Sequence, residues 1–206
     1  MKKSNKKKVY KAYDQIIEWF DANRSKELVM EKYYLDFIQE HIPIEGSILD
    51  VGCGTGEPMA KFFIKNGYKI TGVDASTKMI DLCKQRFPMA NWILADMRQL
   101  KLQEQFDLVI AWHSFFHLPL EDHESTLKLL ASHVKQNGLL IFTSGPEHGE
   151  TRGENGGYNL YHASLSSEEY EKILIKNNLK VIIHKVKDPN CGEATIWVAQ
   201  KNIVRI

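Results

Sequence analysis

The sequence predicts an α/β fold, a doubly wound and mostly parallel sheet of seven strands with an antiparallel last strand and a helical segment at the N-terminus. Short apolar runs alternate with segments of helical periodicity from residue 48 onward, as expected when helices connect parallel strands. The last two apolar runs are instead joined directly by a short Asp-Pro-Asn-Cys-Gly connection. That connection predicts an antiparallel hairpin at one edge of the sheet.

Composition limits the class of protein. The chain has 206 residues, of which 43% are hydrophobic, and it contains no linker or repeat, so we predict one domain over residues 1–206. Its 27 lysines and arginines nearly balance 26 aspartates and glutamates, which favours a small-molecule partner over nucleic acid. Three scattered cysteines without a C-x-x-C pair indicate a reducing compartment.

The N-terminal segment is basic and then helical. Five of the first eight residues are lysines, and no uninterrupted apolar stretch follows them, so we expect a solvated tail rather than a signal peptide. The protein is therefore expected to be cytoplasmic, with no membrane span. Apolar residues at helical spacing predict two helices that end before Pro43. We expect residues 1–43 to pack on the functional site or to cover it.

The first apolar run ends in three glycines spaced two apart, Gly52, Gly54 and Gly56. Glycines in this pattern allow positive φ and let a ligand approach the main chain, while the free N–H groups of the following helix face the same point. The spacing differs from the G-x-G-x-x-G fingerprint of dinucleotide-binding folds. The loop therefore predicts a nucleotide-type ligand other than a pyrophosphate.

With Asp50 before this loop and Asp74 at the end of the next apolar run, the segment resembles motif I of the class I S-adenosylmethionine (SAM) dependent methyltransferases. The resemblance implies SAM as cofactor and methyl transfer to a small molecule through a carboxylate, hydroxyl or nitrogen. It also implies that Asp74 binds the cofactor ribose and Asp96 the adenine amino group. The implied cofactor-binding residues are Asp50, Gly52, Cys53, Gly54, Gly56, Asp74, Ala75, Met79, Asp96, Met97 and Trp112.

The remaining elements follow in order. Helices are predicted at residues 59–65, at residues 77–86 after a Ser76 or Thr77 cap, and from residue 127 to a close at Asn137-Gly138; a last one begins at Ser166 or Ser167. Strands are predicted at residues 48–51, 68–73, 92–95, 106–111, 139–143, 181–186 and 195–199. Met79 could equally be a core methionine, and Asp74 a helix cap.

His113 and His117 follow the fourth strand, where central strands of an open α/β sheet present ligand-binding groups. We name both as catalytic candidates, with a structural hydrogen bond as the alternative for each. Their four-residue spacing suits zinc only on a helix, and no H-E-x-x-H glutamate is present, so no metal is expected. If the acceptor must lose a proton, His113 or His117 is the expected general base.

Residues 144–164 carry five glycines and are predicted to form a long polar loop beside the mouth of the sheet. Such a loop is a natural place for acceptor specificity, and Arg152 is a candidate anion clamp. The candidate substrate-binding residues are Tyr13 from the N-terminal helix and Arg152, Tyr161 and His162 from this loop. Most residues of the loop could equally be mobile surface.

Three other functions stay open from the sequence. The first is a nicotinamide-dependent oxidoreductase, which the glycine spacing disfavours. The second is a SAM-binding protein without activity, since these transferases need no universal catalytic side chain. The third is a nucleic-acid methyltransferase, indicated only by the lysines at the N-terminus. The sequence does not indicate an oligomeric state.

Overall fold

The computed structural model describes residues 2–202, so Met1 and residues 203–206 of the predicted domain lie outside the described part. The strands are β1 (Lys2–Lys3), β2 (Ser47–Val51), β3 (Lys69–Asp74), β4 (Asn91–Leu94), β5 (Phe106–Ala111), β6 (Val134–Ser144), β7 (Gly149–Asn155), β8 (Tyr158–Ser164), β9 (Leu179–Asp188) and β10 (Ala194–Lys201). The α-helices are α1 (Tyr10–Asn23), α2 (Lys32–His41), α3 (Met59–Lys65), α4 (Thr77–Arg86), α5 (Leu120–Ser132) and α6 (Ser167–Lys176).

Seven strands form the central sheet in the order β4-β3-β2-β5-β6-β10-β9. The pairs from β4 to β6 are parallel, whereas β10 is antiparallel to both β6 and β9. This confirms the predicted fold class, including the reversed last strand. Because every parallel strand ends at the same edge, the loops after β2, β3, β4 and β5 meet there.

The core lies on both faces of this sheet. Ile48 and Leu49 are neighbours in β2, and each is fully buried in a different hydrophobic cluster. Leu108 and Val109 divide between the same two clusters in β5. Side chains alternate across a strand, so two covered faces require the continuous apolar runs seen in the sequence.

Lys2 and Lys3 are exposed, as expected, but they form a strand, so the segment is not the frayed tail that the sequence predicted. Lys2 and Lys3 pair in parallel with β8, and the Ser4 amide donates to the carbonyl of Asn159 at 3.1 Å. The edge of β8 would otherwise present unpaired backbone groups. A lysine-rich composition gives no sign of such pairing, because the partner strand lies about 155 residues away.

Helix α1 is fixed to α4 by polar contacts. The Ser76 hydroxyl donates to Asp14 at 2.5 Å, and Arg86 donates to both carboxylate oxygens of Asp21 at 2.7 and 2.6 Å. Helix α2 buries Tyr34, Leu35 and Ile38 in one of the two core clusters. Helix α1 is thus attached to α4, and helix α2 packs in the hydrophobic core beside the sheet.

The prediction of a long polar loop at residues 144–164 is wrong. Residues 149–164 form the antiparallel hairpin β7–β8, which makes a second sheet in the order β1-β8-β7. Its turn is Gly156-Gly157, with φ of 55° and 80°. A Gly-Gly pair with two positive φ angles is a favoured hairpin turn, and this signal in the sequence was missed.

The prediction that the fifth helix ends at Asn137-Gly138 is also wrong. Helix α5 ends at Ser132, and Asn137-Gly138 lies inside β6. There β6 bulges, since Phe106 pairs with Val134 but Leu108 pairs with Leu139. A Cβ on Gly138 would lie 2.9 Å from the Asp107 carbonyl oxygen, so the bulge requires glycine.

No helix within residues 2–202 is both long enough and apolar enough to cross a bilayer.

Candidate active site

A cleft of about 300 Å³ opens at the carboxyl ends of β2, β3, β4 and β5. This volume suits a small-molecule site. The N-terminal segment and the β7–β8 hairpin complete its walls. Of the residues predicted to contribute to the site, the cleft is lined by Tyr13, Asp50, Gly52, Cys53, Gly54, Asp74, Ala75, Met79, Asp96, Met97, Trp112, His113, His117 and His162.

The glycine loop forms one end of the cleft. Gly52, Gly54 and Gly56 all have positive φ, at 75°, 55° and 75°. The amide of Gly54 donates to Asp74 Oδ2 at 3.0 Å, and the Ser76 amide donates to Asp74 Oδ1 at 2.8 Å. The Asp74 carboxylate thus fixes both the loop after β2 and the start of α4.

The three glycines have different roles. A Cβ on Gly52 would lie 2.3 Å from Ser114 Cβ, and one on Gly56 would lie 3.0 Å from the Phe87 ring, so these two allow close packing. At Gly54 the nearest atom to a Cβ belongs to the Phe20 ring, 3.9 Å away. Gly54 therefore leaves its main chain open to a ligand, whereas Gly56 does not line the cleft.

Two carboxyl groups beside the loop have raised pKa values. Burial, followed by repulsion from Asp74, raises the pKa of Asp50 to about 7. Burial also raises the pKa of Asp74 to about 6, although its backbone hydrogen bonds oppose that shift. Asp50 is 3% exposed, and its carboxylate makes no hydrogen bond with any described residue. The positive charge of Arg24 opposes the rise in the Asp50 pKa, but the carboxylate has no hydrogen-bond partner in the described chain and would be stabilised further by a bound cation.

Asp96 has a strong partner of its own. Arg98 donates to Asp96 Oδ1 at 2.9 Å and to Oδ2 at 2.5 Å, and it also donates to Asp122 at 3.0 Å. Burial acts to raise the pKa of Asp96, but the Arg98 bonds outweigh it and the pKa is lowered. Asp96 and Met97 line the cleft, and their contact with an adenine ring stays a prediction.

His117 uses both ring nitrogens within the protein. Nδ1 lies 2.9 Å from the Tyr161 carbonyl oxygen, and Nε2 lies 2.9 Å from the Tyr13 hydroxyl. Because a carbonyl only accepts, Nδ1 carries the hydrogen and Nε2 accepts from Tyr13. Burial lowers the pKa of His117 to about 3, so the ring is neutral. This arrangement favours the structural alternative for His117.

His113 and His162 are different, because neither imidazole makes a hydrogen bond within residues 2–202. His113 has a positive φ of 51°, and its backbone amide donates to the Thr143 hydroxyl at 2.9 Å. Burial, followed by the nearby charge of Arg24, lowers the pKa of His113 to about 4. Burial also lowers the pKa of His162. Both rings are therefore neutral at physiological pH and available to a ligand.

The cleft also contains polar groups without hydrogen-bond partners within residues 2–202, among them the predicted cofactor-binding residue Trp112. Arg24 in the connection after α1 donates through Nε to the Glu57 carbonyl at 3.3 Å, which leaves its two terminal nitrogens without a hydrogen bond among the described residues. Thr55 Oγ1 and Trp112 Nε1 are buried and have no partner in the same part of the chain. Phe116 and Asn155 are further lining residues. Thr55, Phe116 and Asn155 were not predicted as site residues, although Thr55 lies between two glycines of the loop that indicated the site.

Arg152 and Tyr161, two predicted substrate-binding residues, do not line the cleft. The Arg152 guanidinium donates to the carbonyls of Ser4 and Asn159 at 3.3 and 2.9 Å, and it lies 5.7 Å from the Tyr161 ring centre. This arginine thus holds β1 against the hairpin. A direct contact of either residue with an acceptor stays a prediction that this placement does not favour.

Comparison with known protein families agrees with the fold and the glycine loop. Residues 48–138 match the family described as methyltransferase domain. Over 148 residues, the chain is 30% identical to the ubiquinone biosynthesis O-methyltransferase of Coxiella burnetii. The chain therefore contains a methyltransferase domain. The matched segment contains the glycine loop, Asp74, Asp96 and both catalytic candidates.

The chain covers less than two thirds of its curated methyltransferase relatives. The Coxiella burnetii match spans 68% of this chain and 62% of the relative. A match to glycine N-methyltransferase of Homo sapiens is 30% identical over 173 residues and spans 71% of this chain and 58% of the relative.

Solved methyltransferase structures share the fold over nearly the whole chain. Magnesium protoporphyrin IX methyltransferase from Synechocystis with bound SAH superimposes with a TM-score of 0.72 at 17% identity, covering 96% of this chain and all of that chain. An amino pentose methyltransferase from Micromonospora echinaspora with bound SAM gives 0.69 at 17% identity, covering 94% and 97%. At these identities the likeness shows the fold alone.

Proposed function

We propose that the protein transfers the methyl group of SAM to a small-molecule acceptor. The observation that carries this proposal is the open main chain of Gly54 beside two carboxylates of raised pKa in one cleft. SAM presents an ammonium and a sulfonium cation, a carboxylate, two ribose hydroxyls and an adenine ring. The groups in the cleft without partners complement that set.

Each residue at this end of the cleft has a matching group on SAM. The Asp50 carboxylate, which lacks a hydrogen bond, suits the ammonium group. Asp74 holds two backbone amides but retains lone pairs for ribose hydroxyls, since a carboxylate accepts about four hydrogen bonds. The free terminal nitrogens of Arg24 suit a carboxylate. Thr55 and Trp112 add a hydroxyl and an N–H that are otherwise unsatisfied.

When bound, SAM supplies an electrophilic methyl group on a positively charged sulfur. The protein then has to hold the acceptor in line with that methyl group and exclude water. The cleft is covered by helix α1 and by the segments 2–8 and 149–164. These elements exclude water and hold the acceptor in place. His113, which lies two residues after β5 and has a free neutral imidazole, is the proposed general base for acceptors that lose a proton.

Calorimetric titration with SAM tests the cofactor, and release of S-adenosylhomocysteine (SAH) from SAM plus a metabolite extract tests turnover. SAM binding with SAH release is the expected result. Binding without SAH release from any extract would instead indicate a SAM-binding protein that lacks activity. An NADH titration serves as the control, and we expect no saturable binding.

Nucleic acid is a less favoured acceptor. Lys6 and Lys7 line the cleft, and Lys6 pairs with Glu150 at 2.6 Å. Salt-dependent RNA binding that is lost on deletion of residues 1–8 would favour a nucleic-acid acceptor instead.

A further inference from the structure

Two consecutive residues attach helix α1 to opposite walls of the cleft. The Tyr13 hydroxyl donates to His117 Nε2 at 2.9 Å, in the segment that follows β5. The next residue, Asp14, accepts a hydrogen bond from the Ser76 hydroxyl at 2.5 Å, where α4 begins after β3. Tyr13 lines the cleft, but Asp14 does not. Any effect of Asp14 on a ligand in the cleft is therefore transmitted by the residues that it holds.

The hydroxyl of Ser76 is held from two sides. Ser76 is fully buried, and its hydroxyl donates to Asp14 while it accepts from the Met79 amide at 3.2 Å. The Asp14 oxygen that accepts from Ser76 also accepts from the Lys78 amide at 3.4 Å. The first N–H groups of a helix lack partners within the helix, and the helix dipole favours a negative charge beside them. Asp14 thus fixes Ser76 and the first turn of α4 to α1.

Further hydrogen bonds join Ser76 to the glycine loop through Asp74. The Ser76 amide donates to Asp74 Oδ1 at 2.8 Å, and the Gly54 amide donates to Oδ2 at 3.0 Å. Burial raises the pKa of Asp74 to about 6, and the negative charge of Asp14 adds to that rise, so the two carboxylates interact. The way in which both oxygens of Asp74 are held sets the direction of their remaining lone pairs. A displaced Ser76 would therefore turn those lone pairs away from a ligand in the cleft.

We propose that Asp14 is a positioning residue for the cofactor: it holds Ser76, and through Ser76 the Asp74 carboxylate, in the orientation that binds the ribose of SAM. This inference rests on the proposed function, in which Asp74 accepts hydrogen bonds from the ribose. Because Tyr13 and Asp14 are adjacent, the position of α1 that joins Tyr13 to His117 also brings Asp14 to Ser76. Docking of α1 and binding of the ribose are thereby coupled.

Calorimetric titration of the full chain with two ligands, SAH and methylthioadenosine, tests this role. Both ligands carry the ribose, but methylthioadenosine lacks the amino-acid group. Asp14→Ala should raise the two dissociation constants by the same factor, about three- to thirtyfold, the scale of coupling within one hydrogen-bond network. Asp14→Asn keeps an acceptor oxygen for the Ser76 hydroxyl, so it should stay within about threefold of the wild-type affinity.

Asp21→Asn is the matched control, because Asp21 joins the same two helices by accepting from Arg86 at 2.7 and 2.6 Å but does not line the cleft. Both α1 variants are also made in an Asp74→Ala background. The effect of Asp14→Ala should fall below about twofold there, because a residue that acts through Asp74 has no further effect once Asp74 is removed. Any effect of Asp21→Asn should be equal in the two backgrounds.

Full additivity of Asp14→Ala and Asp74→Ala would overturn the positioning role and show that Asp14 only docks α1. A larger loss for SAH than for methylthioadenosine would overturn it too, since the effect would then lie at the amino-acid group, near Arg24. Asp14 is half-buried and alanine favours helices, so the variant should fold, and thermal unfolding checks this. Wild-type affinity in folded Asp14→Ala would also overturn the inference. Failure of the wild type to bind SAH would instead refute the proposed function itself.

Discussion

His113 and His117 lie four residues apart in the same cleft, yet their imidazoles are in opposite states. His117 is held by Tyr13 and by the Tyr161 carbonyl, whereas His113 has no hydrogen-bond partner in the described chain. A ring that is already fully hydrogen-bonded serves to fix its neighbours. A free neutral ring is suited to proton transfer, so the two residues call for different tests.

Replacing His113 by Asn should keep SAM binding and lower kcat by roughly 10²–10⁴-fold for an acceptor that loses a proton, the usual contribution of a general base. Because burial lowers the pKa of His113 to about 4, the wild-type kcat should not change with pH between 6 and 8. Steady-state kinetics across this range measures both effects. An unimpaired mutant, or a rise in kcat near the ordinary histidine pKa of ~6.5, would contradict this role.

Asp74→Ala should weaken SAM binding by about 1.5–3 kcal/mol, the scale of hydrogen bonds to a charged group. The same change also removes the acceptor for the Gly54 and Ser76 amides, so the loop loses its fixed shape. Calorimetry with SAM measures the change. Asp36→Ala is the control, since that aspartate is 52% exposed and its only ion pair within residues 2–202 is with Lys32. Equal affinities of the two variants would exclude the ribose role.

At the scale of elements, the cleft is covered by three segments that are distant in sequence. Helix α1 supplies Tyr13, the β7–β8 hairpin supplies the Tyr161 carbonyl, and His117 joins the two. The hairpin is also held to the N-terminal strand, since the Tyr161 amide donates to Ser4 Oγ at 2.9 Å. The cover is therefore one hydrogen-bonded unit built around the His117 ring.

Tyr13→Phe should destabilise the protein by about 1–3 kcal/mol, because it leaves the buried Nε2 of His117 without a partner. Denaturant unfolding measures this change. Tyr10→Phe on the same helix is the matched control, because the Tyr10 hydroxyl makes no hydrogen bond within the described chain, and we expect less than about 0.5 kcal/mol. A Tyr13→Phe variant as stable as this control would show that the bond contributes nothing.

At the scale of the whole molecule, the buried acid of the cleft opposes folding. The folded-state pKa of Asp50 is raised to about 7 from an ordinary value near 3.8. The folded state therefore binds the proton more tightly than the unfolded state, and stability falls as pH rises from about 4 to 7. Such a loss of folding stability is expected at a site that binds a cationic ligand.

Asp50→Asn should thus raise the melting temperature of the protein without ligand, more at pH 8 than at pH 5, because the carboxylate is fully charged only at the higher pH. The same variant should bind SAM more weakly. Thermal unfolding at both pH values, with and without SAM, measures the two effects. An equal gain at pH 5 and pH 8 would mean that the charge of Asp50 is not the cause.

The sequence by itself determined the apolar runs that form the strands, the glycine loop, and the acids at the ends of β2 and β3. These are local patterns, in which a residue's neighbours in the chain dictate its conformation. The Gly156-Gly157 turn was also present in the sequence, so the hairpin was within reach of the same reasoning. The fold class and the predicted cofactor-binding residues thus follow from short-range periodicity and backbone sterics.

Only the tertiary structure decided which histidine is free, where Arg152 points and what covers the cleft. Tyr13 meets His117 across 104 residues, and Ser4 meets Tyr161 across 157. Whether an imidazole is saturated depends on such partners, because a polar group in a buried site takes whichever donor or acceptor the fold brings to it. The spacing of residues along the chain does not indicate those contacts. Only the three-dimensional packing shows which imidazoles in the cleft are hydrogen-bonded and which are free.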